Sequence, residues 1–299
     1  MKLALGTVQF GLNYGISNQQ GQVSKSQVKD ILTQATALGI DTLDCAGAYG
    51  NSEQILGELQ ASEHFSLVSK IPALSKDQDS IIPFFEQSLA NLQCNSIDTL
   101  LFHQVDNLLT HNKSNHFFSQ LLSLKAQHLI NNVGVSLYNP EQLIAITKAY
   151  NIDKVQVPIN IFDQRFITTD ILQLCTNKKI KIHARSLFLQ GLLFIEQAHL
   201  PSYFAPYKEK LRAFSDLAQH LSCSKLVLAL ALLAQELPHI IKTDSPIIEK
   251  IVVGVCNVQQ LTEIVNAYQQ AKELTITRNE LSSLADSRLG FINPSLWSI

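Results

Sequence analysis

The stretch Val28-Lys29-Asp30-Ile31-Leu32-Thr33-Gln34-Ala35-Thr36-Ala37-Leu38-Gly39-Ile40-Asp41-Thr42-Leu43-Asp44 contains a change of period. Val28, Ile31, Leu32, Ala35 and Leu38 recur at the three- and four-residue steps of one helical face. Ser24 and Gln27 form a capping-box pair ahead of this helix, and Gly39 stands where it should stop. Ile40 to Asp44 then reads as a short strand whose last residue is acidic. Helix, stop and strand within so few residues are the punctuation of a βα repeat.

The same alternation runs along the chain. Leu3 to Leu5, Leu67 to Ile71, Ile97 to His103, Asn132 to Ser136, Val155 to Val157, Ile180 to Arg185 and Ile251 to Gly254 are the other β-rich runs, making eight with Ile40 to Asp44. Asn139-Pro140-Glu141 reads as N-cap, first turn and acidic start of a helix. Leu261, Ile264, Val265 and Tyr268 mark another helical face. Short, nearly continuous apolar strands separated by helices predict a parallel sheet covered on both faces. From Thr7 through Asp44, Lys70, His103, Ser136, Pro158, Arg185 and Gly254, the strand ends are spaced 37, 26, 33, 33, 22, 27 and 69 residues apart. Most gaps match one βα unit of about 30 residues. The expectation is an α/β chain forming a (β/α)8 barrel, one domain over residues 1–299. The long gap holds an extra loop from Leu187 to Tyr207, read as a substrate lid or wall, and helix from Leu211 to Leu237.

Composition narrows the function. The 299 residues are 46% hydrophobic and 16% charged, with a net charge of −2. That excludes a disordered chain and supplies no basic track for nucleic acid. The longest apolar run, Leu226 to Ala234, is far shorter than the roughly 20 residues of a membrane helix. Cys45, Cys94, Cys175, Cys223 and Cys256 are odd in number and never paired as Cys-x-x-Cys, as in a reducing compartment such as the cytoplasm. No His or Cys cluster has metal-ligand spacing, so no metal is expected.

Polar residues stand where barrel chemistry resides. Asp44, Lys70 and His103 end strands 2, 3 and 4, and Tyr49 starts the helix after strand 2. At the C-terminal rim these four converge. A phenol is a poor acid near pH 7, an adjacent ammonium favours its phenolate, and a carboxylate holds the ammonium. A histidine beside them can orient a carbonyl. Together they suit protonation of a carbonyl oxygen as hydride arrives from a cofactor.

Leu43-Asp44-Cys45-Ala46-Gly47-Ala48-Tyr49-Gly50-Asn51-Ser52-Glu53 resembles the Asp-Thr-Ala-x-x-Tyr-Gly-x-Ser-Glu signature of aldo-keto reductases. Ser69-Lys70, Leu101-Phe102-His103, Gly134-Val135-Ser136 and Gln156-Val157-Pro158-Ile159-Asn160 resemble that family's further motifs in the same order. The resemblance spans Leu3 to at least Val265. It implies a (β/α)8 barrel that binds a nicotinamide cofactor without a Rossmann domain and reduces an aldehyde or ketone, a sugar derivative among the options. Tyr49 would be the general acid, Lys70 would lower its pKa, Asp44 would pair with Lys70, and His103 would orient the carbonyl. Ser136 and Gln156 would hold the nicotinamide carboxamide. The Ser186-Leu187 to Gly191 turn would approach the pyrophosphate, and Gly254, Gln260 and Glu263 would line the adenosine end. Thr7 and Arg185 complete the expected cofactor contacts.

Three departures from the family pattern stand out. Leu137 replaces the usual Asn after Ser136. Arg185 occupies a position where many members carry an aromatic that stacks on nicotinamide. A cation there favours the neutral reduced ring and attracts an acidic substrate group, unless a rim carboxylate pairs with it. Gly254 to Gln260 contains no Lys or Arg for a 2′-phosphate, so NADP is the family expectation and NAD the alternative. Other readings are a sugar or hydroxyl dehydrogenase on the same residues and a cofactor-binding sensor or channel-associated subunit. The expected partner is a small-molecule carbonyl, with neither nucleic acid nor membrane, and the chain a monomer or weak homo-oligomer.

Overall fold

The computed structural model describes residues 2–235 and 246–298. Eight parallel strands close into a barrel in sequence order: β1 (Leu3–Gly6), β2 (Thr42–Asp44), β3 (Ser66–Ile71), β4 (Ile97–Phe102), β5 (Ile130–Ser136), β6 (Lys154–Pro158), β7 (Lys181–Arg185) and β8 (Ile248–Gly254). The (β/α)8 expectation is met, and each strand overlaps its sequence-derived run. Closure is made by β1 against β8, with Leu3, Ala4, Leu5 and Gly6 opposite Ile251, Val252, Val253 and Gly254.

The local signals act as read. Ser24 caps the helix Lys25–Ala37 through a complete capping box with Gln27, and Gly39 takes φ +75° after it. That helix buries Val28, Ile31, Leu32 and Ala35. Asn139 precedes the helix Pro140–Ala149, its backbone N–H donating to Gln142 Oε1 at 3.0 Å. Apolar strand residues and inward helix faces form one continuous core. Among the described residues no single helix is long and apolar enough to cross a membrane.

The region after β7 differs from expectation in its helices. Leu187 to Tyr207 forms short 3-10 turns at Leu189–Phe194, Gln197–His199 and Ser202–Tyr207. The helix expected from Leu211 to Leu237 is instead two, Lys208–His220 and Lys225–Ala234, set about 90° apart. Ser222 takes φ +51°, and Ser224 accepts a hydrogen bond from Val227 N–H as the second helix starts. Apolar spacing that continued across the break concealed it, because both helices bury their faces. The last residues of the expected helix, 236 and 237, lie outside the described residues.

The end of the barrel opposite the strand C-termini carries a charged network. Lys154 Nζ lies 2.8 Å from Glu249 Oε2 and 3.6 Å from Asp98, and His183 Nε2 is 2.8 Å from Glu249. The hydrogen bond from His183 outweighs the opposing effect of burial and, with Lys154, holds the Glu249 carboxyl down at about 2. A depressed carboxyl contributes stability above its ordinary value of 4.5 and loses it as pH falls through about 2. Thermal unfolding followed from pH 6 to pH 2 should therefore show a steeper loss of Tm below about pH 4.5 for the native chain than for Glu249→Gln. Parallel Tm curves for the two would refute this account.

Candidate active site

Barrel register brings the four expected residues together. Asp44 ends β2 opposite Gly6 of β1 and Val68 of β3, while Lys70 in β3 lies opposite Leu101 of β4. Pairing continues past the strand ends, with Cys45 N–H donating to Val68 O and His103 N–H to Ile71 O, each at 2.8 Å. These bonds fix the direction in which the chain leaves the sheet. Tyr49 sits in the tight segment before the helix Ser52–Glu58, where Ser52 N–H donates to its carbonyl at 3.1 Å. Gly11 is required there. A Cβ at that position would fall 1.7 Å from Tyr49 O, so no other residue lets the loop after β1 lie against the Tyr49 segment.

The Lys70 ammonium is the hub. It lies 2.8 Å from Asp44 Oδ2 and donates to Cys45 O at 2.7 Å and Tyr49 Oη at 3.2 Å. These three acceptors match its three protons. Its side chain has no solvent exposure, and that of Asp44 has 5%. The second Asp44 oxygen accepts from Gln156 Nε2 at 2.6 Å. The His103 and Tyr49 rings meet edge to face at 5.8 Å between centroids.

This setting tunes the proton chemistry. Burial acts on Lys70 toward the neutral amine, but Asp44 and Tyr49 outweigh it and hold the ammonium above its ordinary range. Burial raises Tyr49, and the Lys70 charge only partly offsets it, so the phenol stays protonated at neutral pH. Lys70 therefore acts in the expected sense, yet the net direction for Tyr49 is upward, because desolvating a phenolate costs more than one ammonium returns. Burial first, then Lys70, takes His103 down to about 4. At neutral pH it is an uncharged imidazole, with one nitrogen a donor and the other an acceptor.

Above Tyr49 and His103 opens a cavity of about 950 Å³, at the upper end of the roughly 300–1,000 Å³ of ligand sites. Of the residues expected at a cofactor, Thr7, Gln156, Arg185, Ser186, Leu187, Gly191, Gly254, Gln260 and Glu263 line it. Ser136 lies in register with Gln156 but does not itself line the cavity. The Thr7 hydroxyl is already engaged. It donates to Asp44 O at 3.1 Å and accepts from Ser52 Oγ at 2.9 Å, bracing the segment that carries Tyr49. Gln260 Oε1 accepts from Cys256 N–H at 2.7 Å. The loop after β7 is wound by left-handed residues Ser186, Leu189, Gln190 and Gly191, and a Cβ on Gly191 would strike Ser17 Oγ at 1.8 Å.

Most residues lining the cavity are uncharged. Gln9 Oε1 is buried without a partner at its wall, an acceptor suited to a ligand N–H. Among the described lining residues Arg185 is the single Lys or Arg, whereas Glu263 adds an acid beside Gln260. Several wall residues gave no sequence signal: Gln9, Tyr14, Tyr138 and, from the far end of the chain, Asn293 to Ser295. None belongs to a strand-end pattern, so only folding places them. From the insertion after β7, Phe188, Gln190 and Phe194 line this cavity.

Comparison with known proteins agrees with this geometry. Residues 2–281 match the model of the aldo/keto reductase family. The chain is 26% identical to Oxidoreductase YdhF of Escherichia coli (strain K12), over 91% of each protein. Its fold is similar to aldo-keto reductase AKR11C1 from Bacillus halodurans in its holo form, with a TM-score of 0.70 at 19% identity, covering 95% of this chain and 92% of that one. It is likewise similar to PA4992 of Pseudomonas aeruginosa, with a TM-score of 0.64 at 23% identity, covering 90% of each. With a closed parallel barrel, a buried Lys70 ammonium bonded at its rim to Asp44 and Tyr49, and a family match over nearly its whole length, this chain belongs to the aldo/keto reductase family of oxidoreductases.

Proposed function

We propose that this protein reduces a small aldehyde or ketone to an alcohol with NADH or NADPH, Tyr49 being the general acid. The observation that carries the reading is the Lys70 ammonium, held 2.8 Å from Asp44 and 3.2 Å from the Tyr49 hydroxyl at the floor of the cavity. The nicotinamide cofactor supplies the hydride. Tyr49 donates its proton to the carbonyl oxygen, and Lys70 stabilises the phenolate left behind. Asp44 keeps the ammonium charged and in place, while Gln156 fixes the carboxylate from its other side. His103, neutral and beside Tyr49, orients the carbonyl by donating to its oxygen. One barrel domain in the cytoplasm carries out this chemistry, and its five cysteines are free thiols.

Tyr49→Phe removes the proton donor and nothing else of size. Turnover should fall by about 10²–10⁴, while NADH affinity by fluorescence titration stays within a few-fold. Retention of more than about a tenth of native turnover, with chemistry rate-limiting, would remove Tyr49 from the role.

Lys70→Met should slow reduction and move the alkaline limb of the pH–rate profile upward, since the phenolate loses the charge that favours it. Asp44→Asn should slow reduction less, because the ammonium remains, and should move that limb the other way, since the carboxylate charge that raises the Tyr49 phenol is gone. Both should lower Tm, as each leaves one member of a buried pair uncompensated, a loss of roughly 3–5 kcal/mol. Coincident pH profiles for all three proteins would break the proposed coupling.

The scarcity of cations at the cavity's far end favours NADH over NADPH. NADH should bind at least as tightly in calorimetric titration, and Gln260→Arg should tighten NADPH by about tenfold, the equivalent of roughly 1.4 kcal/mol. A native preference for NADPH of tenfold or more would reverse this assignment.

A further inference from the structure

Arg185 closes β7 and lines the catalytic cavity. The ion pair with a rim carboxylate that its position left open does not form, since no carboxylate among the described residues lies within ion-pair distance. Its guanidinium is instead aimed by neutral groups. One terminal nitrogen donates to Leu137 O and the other to Ser186 Oγ, both at 3.1 Å, and its central carbon lies 4.3 Å from the centre of the Tyr138 ring. A guanidinium has five N–H donors, so these contacts leave three unspent. Stacking on Tyr138 removes rotamer freedom in advance, which reduces what is lost when the remaining donors bind.

Its charge also reaches the reacting groups. Burial dominates the shifts of Tyr14, Tyr49 and His103, and Arg185 pulls each of the three downward. The cation thus lies within electrostatic range of the phenol and imidazole that meet the carbonyl oxygen. Asp44, the acid nearest the chemistry, is committed to Lys70 and Gln156 and is not available to Arg185. Tyr14, Phe188 and Phe194 surround the mouth with aromatic surface. The result is a half-buried cation of fixed orientation in a cavity whose other walls are largely neutral, and a carboxylate meets such a fork through two parallel hydrogen bonds.

We propose that Arg185 is the substrate-specificity residue of this site and that the physiological substrate is a carbonyl compound bearing a carboxylate. This rests on the carbonyl-reductase reading, with the carbonyl at Tyr49 and His103 and the carboxylate at Arg185.

The test compares 4-oxobutanoate with butanal, which differ by a carboxylate in place of a methyl group. The native protein with NADH should favour the charged aldehyde in kcat/KM by about tenfold or more. Arg185→Gln should cut that ratio by at least tenfold, and Arg185→Lys, which keeps the charge and loses the fork, should cut it less. Because Arg185 also stands among the expected cofactor contacts, each ratio is read at NADH concentrations saturating for that protein, set from its own calorimetric Kd. An unchanged ratio with weakened NADH binding in Arg185→Gln would assign the guanidinium to the cofactor's phosphates and overturn the proposal. So would a native ratio of one or less, whatever the variants do. If the native protein neither binds NADH nor NADPH nor reduces either aldehyde, the carbonyl-reductase reading fails and takes this inference with it.

Discussion

An ammonium with no access to water organises the rim of this barrel. Transfer of the Lys70 charge out of solvent costs several kcal/mol even after relaxation, and only close, well-aimed acceptors offset it. Those acceptors come from three places: a carboxylate at the end of β2, the carbonyl of the next residue, and a phenol four residues beyond that carbonyl. The first two are placed by backbone pairing that runs past the end of β2, and the phenol by the turn that follows. The loop after β1, pressed on Tyr49 through Gly11, and Thr7, bonded to both Asp44 and Ser52, hold the same segment from the other side. The contacts that make the buried charge tolerable are the same ones that put it against the phenol.

Much of this was legible from residue order. Strand ends depend on short, nearly continuous apolar runs and on spacing, both local properties, so Asp44, Lys70 and His103 could be assigned to one rim without any contact being known. The caps at Ser24 and Asn139 were equally local. The break between His220 and Lys225 was not, since the apolar residues on either side keep helical spacing and only the left-handed backbone at Ser222 marks the turn.

Side-chain commitments were the least legible. Gln156 was identifiable as a rim residue, but not that its amide would be bonded to Asp44. Thr7 is used inward, on Asp44 and Ser52. Arg185 was conspicuous as a substitution, yet whether its charge would be matched by a carboxylate depended on residues far away in sequence. The structure answers with Tyr138 and two neutral oxygens. Walls contributed by Asn293 to Ser295 leave no periodic trace at all, because the C-terminal segment reaches the mouth without entering the sheet.

The seam between β1 and β8 has a consequence for synthesis. Leu3 pairs with Ile251, so the first strand made waits for one emerging 248 residues later. At roughly 5–20 residues per second that interval is about 12–50 s, during which one edge of the growing sheet has no partner. Gly6 and Gly254, opposite each other on that seam, both line the cavity above Tyr49. Removal of β8 would therefore take away part of the wall of the cavity above Tyr49 and His103 and leave both β1 and β7 with an unpaired edge, the kind of edge that recruits strands from other chains.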